Sequence, residues 1–393
     1  AWPIEHVRGG KNVYFLLASL DRGRLQVLPI AYDVDDRAWY DTTASMIRHA
    51  IGHTDEAVDW KDPLLTFNTS CWNCHVSQLT VNYDTEKDVY ASAWAEPGIN
   101  CETCHGPASE HIRVCEEAPE GETPEDLEII LVSAFDEAQT NDTCAPCHAK
   151  SIQLTTDFTP GAPYFDHFDL TCLEDRDFHP DGRDLGENYT FTLWRMSPCA
   201  KSGQLDCVHC HTSSGRTRHT GADSNQLCLP CHESHVADVA AHSHHEPDSE
   251  GSRCISCHMP MTEFARMRRS DHSMRPPAPS LTLAFDSPNA CNLCHTDETA
   301  AWADGHVRAW RVRDYQAPIL HAAELVDAAR KNVWGRLQDV LEAVGDPEQD
   351  EVVRTTLIRL LSQIGNAQKL PVLLEALGDP SPLVRSAAAA GLE

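Results

Sequence analysis

Cys254-Ile-Ser-Cys257-His258 is one of seven stretches of the form Cys-x-x-Cys-His, and these seven decide the fold. The others are Cys71-Trp-Asn-Cys74-His75, Cys101-Glu-Thr-Cys104-His105, Cys144-Ala-Pro-Cys147-His148, Cys207-Val-His-Cys210-His211, Cys228-Leu-Pro-Cys231-His232 and Cys291-Asn-Leu-Cys294-His295. Two cysteines three residues apart stand about one helical turn apart, so both sulfurs can bond the two vinyl groups of one porphyrin. The histidine that follows then meets the iron as an axial ligand. Every pair here carries its own histidine, whereas zinc sites combine cysteine pairs with one another or with later histidines. A disulfide framework suits a small secreted domain rather than 393 residues. The pattern calls for seven haem c groups, held by the fourteen motif cysteines and ligated by the seven motif histidines.

Seven porphyrins alter the usual core arithmetic. Each is a large apolar plate, and little polypeptide separates the motifs between Cys71 and His295. The expected fold is therefore mostly α with long loops, a multihaem cytochrome c domain over residues 71–300 whose core is largely cofactor. Residues 1–70 carry no motif. Asn12 to Leu20 and Arg24 to Asp33 are β-favouring runs around Asp21-Arg22-Gly23 and read as a hairpin. Thr42 to His53 reads as a short helix ended by Gly52. The connection from His148 to Cys207 holds Gly161, Pro163, Gly182 and Gly186 and reads as mostly turns.

Beyond about residue 316 the cysteines stop and helical periodicity appears. Val344-Gly-Asp-Pro347 precedes Val353-Arg354, and Leu377-Gly-Asp-Pro380 precedes Val384-Arg385. The turn recurs after 33 residues and the Val-Arg pair after 31, the texture of an α-helical HEAT-like solenoid over 316–393. About three repeats and a cap are needed for such a unit, so either the natural product continues or this segment packs on the haem region.

Sixty acidic residues against 31 basic ones give a formal charge of −29. Such a chain repels nucleic acid phosphates and anionic lipid alike. No stretch approaches the roughly 20 apolar residues of a membrane span. Ala1-Trp-Pro3 suits a mature end after removal of a signal peptide, and covalent haem attachment belongs outside the bacterial cytoplasm. A periplasmic or extracellular location is expected, with redox proteins as partners.

Of 22 histidines, seven close the motifs and fifteen remain. Candidates for the opposite face of the irons are His6 before the hairpin, His49 on the short helix, His111, His167 in an aromatic frame, the cluster His242, His244 and His245, and His272. Arg268 and Arg269 near His272 suit haem propionates. His235 shares a helix with its own motif and can serve only another haem. His306 and His321, past the last motif, read as structural. Met46, Met196, Met259, Met261, Met267 and Met274 read as packing residues. Of Cys115, Cys172 and Cys199, two are expected to pair.

The run Phe67-Asn-Thr-Ser-Cys-Trp-Asn-Cys-His75, then Glu96-Pro-Gly-Ile-Asn-Cys-Glu-Thr-Cys-His-Gly-Pro107 and Glu110-His111, resembles the multihaem cytochromes around tetrahaem cytochrome c-554, hydroxylamine oxidoreductase and octahaem tetrathionate reductase. Cys254 to Pro260 resembles a motif of the same superfamily. The resemblance covers about residues 67–295. It implies haems stacked in parallel and perpendicular pairs, and a distal-ligand role for His111, His245 and His272. Catalytic members sometimes attach a haem through Cys-x-x-Cys-Lys, which does not occur here. The sequence thus favours electron transfer through seven low-spin haems. The competing expectations are a reductase or oxidase for a small nitrogen or sulfur species, with His179, His209 or His219 and Arg216 or Arg218 around an open iron, and an assembly joined end to end through His6.

Overall fold

The strands of the N-terminal segment form one antiparallel sheet in chain order: β1 (His6–Gly9), β2 (Val13–Ser19), β3 (Leu25–Asp33) and β4 (Ala38–Asp41). The computed structural model describes residues 2–9, 11–50, 53–187, 189–213 and 215–392. The expected hairpin is β2 and β3, and two short strands extend it on either side. Alternation explains the sheet. Val13, Phe15 and Leu17 face one core with Leu25, Val27 and Ala31, while Leu16, Ala18 and Leu28 pack on the other face with Trp60. Asn68 Oδ1 accepts from Leu25 N at 2.7 Å, and Gln26 Nε2 donates to the carbonyls of Trp60 and Asp62. The stretch leading into the first motif is thereby fastened to the sheet.

The expected helix over Thr42 to His53 is much shorter. Asp41 caps Thr42–Ser45, accepting from Ala44 N at 2.9 Å, and there the helix ends. His49–Ala50 then pairs with His53–Thr54 as a small antiparallel ladder. Arg48 bonds Asp55 and Asp177, which draws the chain out of the helical path. Ile51 and the expected stop at Gly52 lie outside the described residues.

The connection after the third motif is mostly turns and irregular chain, as expected, with a few short elements. Ser151–Gln153 pairs with Phe168–Leu170, and α1 (Thr190–Met196) follows. Its Tyr164, Phe168, Leu170, Leu173, Phe178, Phe191, Trp194 and Met196 are buried. They form one core with the helices that follow the last motif: α2 (Gln316–Arg330), α3 (Leu337–Gly345), α4 (Glu351–Ser362), α5 (Leu370–Ala376) and α6 (Pro382–Ala390). Glycine and proline set the turns, and the apolar side chains between them meet a helical surface.

The recurrent Gly-Asp-Pro and Val-Arg elements explain themselves in this packing. Arg354, from the first Val-Arg pair, bonds Asp379 in the second Gly-Asp-Pro turn at 2.6 Å and Val344 O at 2.9 Å, with both charged partners buried. One repeat is thus hooked to the next. The α2–α4 surface holds the connection in turn. Arg330 donates to the carbonyls of Leu173, Asp175 and Phe178, Arg359 donates to Leu170 O at 2.8 Å and pairs with Asp169 and Glu174, and Leu173 N donates to Thr356 Oγ1 at 2.9 Å. The repeat helices pack on the chain between the third and fourth motifs.

Elsewhere the polypeptide has little core of its own. Among the described residues, no apolar side chain is buried between Phe67 and Ala145, and Pro260 alone between Met196 and Ala265. Those two spans hold the first, second, fourth, fifth and sixth motifs entire. No described helix is long and apolar enough to cross a membrane.

Candidate haem sites

Most motifs sit on single helical turns. Trp72–His75, Glu102–His105, Cys207–Cys210, Cys254–His258 and Ala290–Cys294 are such turns, and the third motif ends the longer helix Glu137–His148. The turn is closed by a main-chain bond from the histidine N–H to the first cysteine's carbonyl, at 2.9 Å for His105 and His295 and 3.0 Å for His211 and His232. Side-chain caps start several of them. Asp206 accepts from His209 N, Asn289 from Asn292 N, and Asp136 with Gln139 forms a reciprocal capping box. Gly106, directly after the second motif, turns the chain with φ +71°, a conformation glycine adopts without strain.

The motifs lie against one another. Cys74 Sγ donates to Cys147 O at 3.4 Å, Cys207 Sγ donates to Asn141 Oδ1 on the helix of the third motif at 3.1 Å, and the sixth motif packs on the fifth and the seventh. Cys228 lies near Cys210, Cys257 near Cys291 and Cys294, and Cys104 near Cys144 and Cys147. The series runs first, third, fourth, fifth, sixth, seventh, with the second motif beside the third.

Two imidazoles on opposite sides of one metal have ring centres about 6 Å apart, since each metal–nitrogen bond is roughly 2.0–2.1 Å. Three motif histidines face a second histidine at this spacing. His211 and His272 are 6.3 Å apart, His258 and His242 6.1 Å, and His295 and His245 6.0 Å. His232 and His235 are 6.2 Å apart, but one helical turn carries both, which leaves no room for a porphyrin between them. His235 instead contacts His242 at 4.5 Å.

A second criterion is the other ring nitrogen. A ligating histidine usually donates Nδ1–H to a carbonyl, which fixes the ring and frees Nε2. His245 Nδ1 lies 2.7 Å from Ser243 O, His272 Nδ1 2.8 Å from Ser270 O, and His111 Nδ1 2.6 Å from Leu127 O. Among the motif histidines, His105 Nδ1 is 2.8 Å from Ile130 O and His258 Nδ1 3.2 Å from Met274 O. The strand of chain from Leu127 to Ile130 therefore holds both His105 and His111. Burial keeps the rings of His148, His211, His258 and His272 more readily neutral than usual. Burial and then Arg8 push His75 down to about 4, and burial with Arg311 does the same for His242. Neutral imidazole is the form that binds iron.

The remaining candidates have other surroundings. His6 is exposed on β1 beside Trp94, and His49 is exposed. His167 Nδ1 meets Thr155 Oγ1 at 2.6 Å with Phe158 edge-on. His244 stacks on Trp310 at 4.3 Å, and His306 lies between Trp302 and Trp310. His209 spends Nε2 on Leu227 O, Arg218 Nε donates to Val208 O, and His179 is buried and held back from protonation by desolvation. Arg268 and Arg269, expected to meet propionates, pair with Glu263 and Glu187. The expected disulfide is not formed: Cys172 is sealed in the repeat-facing core, Cys115 is exposed beside His111, and Cys199 stands near Cys210 and Cys228.

The donor set fits haem c: paired thiols on one turn, a histidine after them, facing imidazoles, and stretches of chain without a core of their own. Residues 38–106 match the family of cytochrome c554 and c-prime, and residues 322–393 match HEAT repeats. No curated protein matches the sequence. Among solved structures, the outer cell wall cytochrome OcwA superposes with a TM-score of 0.51 at 16% identity, over 97% of this chain and 85% of that one. The undecahaem cytochrome from the S-layer of Carboxydothermus ferrireducens gives 0.37 at 16% identity, over 99% and 61%. The chain has the fold of a multihaem cytochrome that ends in HEAT repeats.

Proposed function

We propose that this protein carries electrons through seven covalently bound haems, as an extracellular or periplasmic conduit between redox proteins. The observation that carries the reading is the series of motif turns packed one on the next, the first on the third, the third on the fourth, the fourth beside the fifth, and the sixth between the fifth and the seventh. Haem supplies a one-electron couple. The chain's part is to fix each ring by two thioethers and a histidine, and to hold His272, His242 and His245 opposite His211, His258 and His295. It also sets the polarity around each position. Facing imidazoles close an iron to substrate, which favours a carrier over a reactor. The likeness to an outer cell wall cytochrome and the covalent attachment chemistry support a place outside the cytoplasm. Mass measurement of the mature protein should give seven haems. H272M should move one haem to higher potential, since methionine ligation raises it, and leave the others. A dominant high-spin EPR signal in the unaltered oxidised protein defeats the reading.

Assembly into a polymer is a second reading, supported by His6 standing exposed on the edge strand β1. It expects a change of particle size in H6A by light scattering. A strict monomer in both forms removes it.

A further inference from the structure

Two arginines end in buried N–H groups that meet no acceptor among the described residues: Arg8 at Nε, and Arg275 at Nε and Nη2. A donor shut from water without a partner costs about 1–3 kcal/mol, and arginine cannot shed its proton to escape that cost. Each arginine stands beside an attachment motif. Arg8 lies over the Phe15 ring at 4.7 Å, in the cluster against which Cys71 and Trp72 pack, and acts electrostatically on His75. Arg275 follows Met274, and the main chain of both residues bonds the ring of His258. Its Nη1 donates to Asp181 O at 2.8 Å. Of the nearby carboxylate oxygens, Asp181 Oδ2 accepts no hydrogen bond and has only Arg183 Nε at 3.7 Å, and the others are engaged elsewhere. Asp271 pairs with Arg183 and accepts from Ser273 N, and Asp181 Oδ1 accepts from Ser287 Oγ at 2.8 Å.

We propose that Arg8 and Arg275 bind porphyrin propionates, Arg8 at the first motif and Arg275 at the sixth. This rests on the haem-conduit reading above. A propionate is the acidic group each haem brings with it, and a guanidinium fork matches a carboxylate with two parallel bonds. In a chain of charge −29 such positive points are scarce. A cation beside a haem favours its reduced state, which carries one positive charge fewer, so these two positions accept electrons more readily than they would without the arginine.

The test is a potentiometric titration of the holoprotein, followed by visible absorbance and EPR, with haem counted by mass. R8Q and R275Q should each keep seven haems and move one haem's share of the absorbance change to lower potential. R8K and R275K should bring it part of the way back. R8M and R275M keep the apolar stem and form a second pair with the same expected shift. Glutamine and methionine variants that hold every haem yet titrate along the unaltered curve overturn the proposal and leave the conduit intact. An unaltered chain lacking haem at the first or sixth motif overturns both.

Discussion

Two parts of this molecule solve the problem of a core in opposite ways. The repeat helices and the chain between the third and fourth motifs bury leucine, valine and aromatic side chains against one another, as in Leu357, Ile358, Leu361, Tyr164 and Phe178. The spans between Phe67 and Ala145 and between Met196 and Ala265 bury none of these among the described residues. The first part folds on side-chain packing; under the proposed haem-conduit reading the second folds on the group its cysteines bind. On that reading stability and function are separated along the chain, with the repeats as a packed support and the motif segments as cofactor holders.

The sharpest way to break this contrast is to produce the chain without haem attachment. Limited proteolysis read by mass should then cut first within residues 101–135 and 203–262, leaving α2 to α6 intact. Equal cutting within α3 to α6 would defeat the contrast. Next in size are core changes in the repeats. Leu357→Ala should cost roughly 2–5 kcal/mol, from lost burial and the cavity left behind. Asp379→Ala should cost roughly 3–5 kcal/mol, because Arg354 is left charged and buried. Thermal unfolding measures both, and the haem spectrum should stay unchanged well below the transition. A spectrum that changes with these substitutions would show that the two parts are not separable.

The smallest effect concerns acid. His75 and His242 are pushed down to about 4, by burial first and then by Arg8 and Arg311. Between pH 6.5 and 4 an unfolded chain takes up protons at these histidines and the folded one does not. The unfolded state then binds more protons, so their contribution to stability falls as the pH drops through that window. The thermal unfolding temperature should therefore fall as the pH is lowered from 6.5 to 4, and a temperature that rises over that window would contradict this.

The motif turns were legible in the sequence because their geometry is local: five residues set two sulfurs and a nitrogen on one turn. The repeats were legible because Gly-Asp-Pro and Val-Arg recur at fixed distances. Where sequence reasoning failed, partners were remote. The helix over Thr42 to His53 stops early because Arg48 answers Asp177, more than a hundred residues away. The connection after His148 is mostly turns, as its glycines and prolines say, but the helices that cover its apolar side chains could not be read from it. Facing histidines fall between these cases. Nothing within Arg268 to Ser273 says that His272 sits opposite His211. Near His111 a signal did exist, in the Cys-x-x-Cys-His-Gly-Pro stretch before it, but the hydrogen bond from Leu127 could not be read from sequence. The unpartnered Arg8 was missed altogether, since one arginine on a short strand carries no pattern.

The strand of chain from Leu127 to Ile130 anchors two imidazoles by consecutive carbonyl contacts, His111 through Leu127 and His105 through Ile130. Those two rings are therefore not independent variables. A change that tilts this strand turns both at once, so any adjustment of one position is felt at the other without a residue of either being altered. Inheritance acts on the pair as a single trait, and an engineer who wishes to tune one ring alone must first give the other a separate anchor.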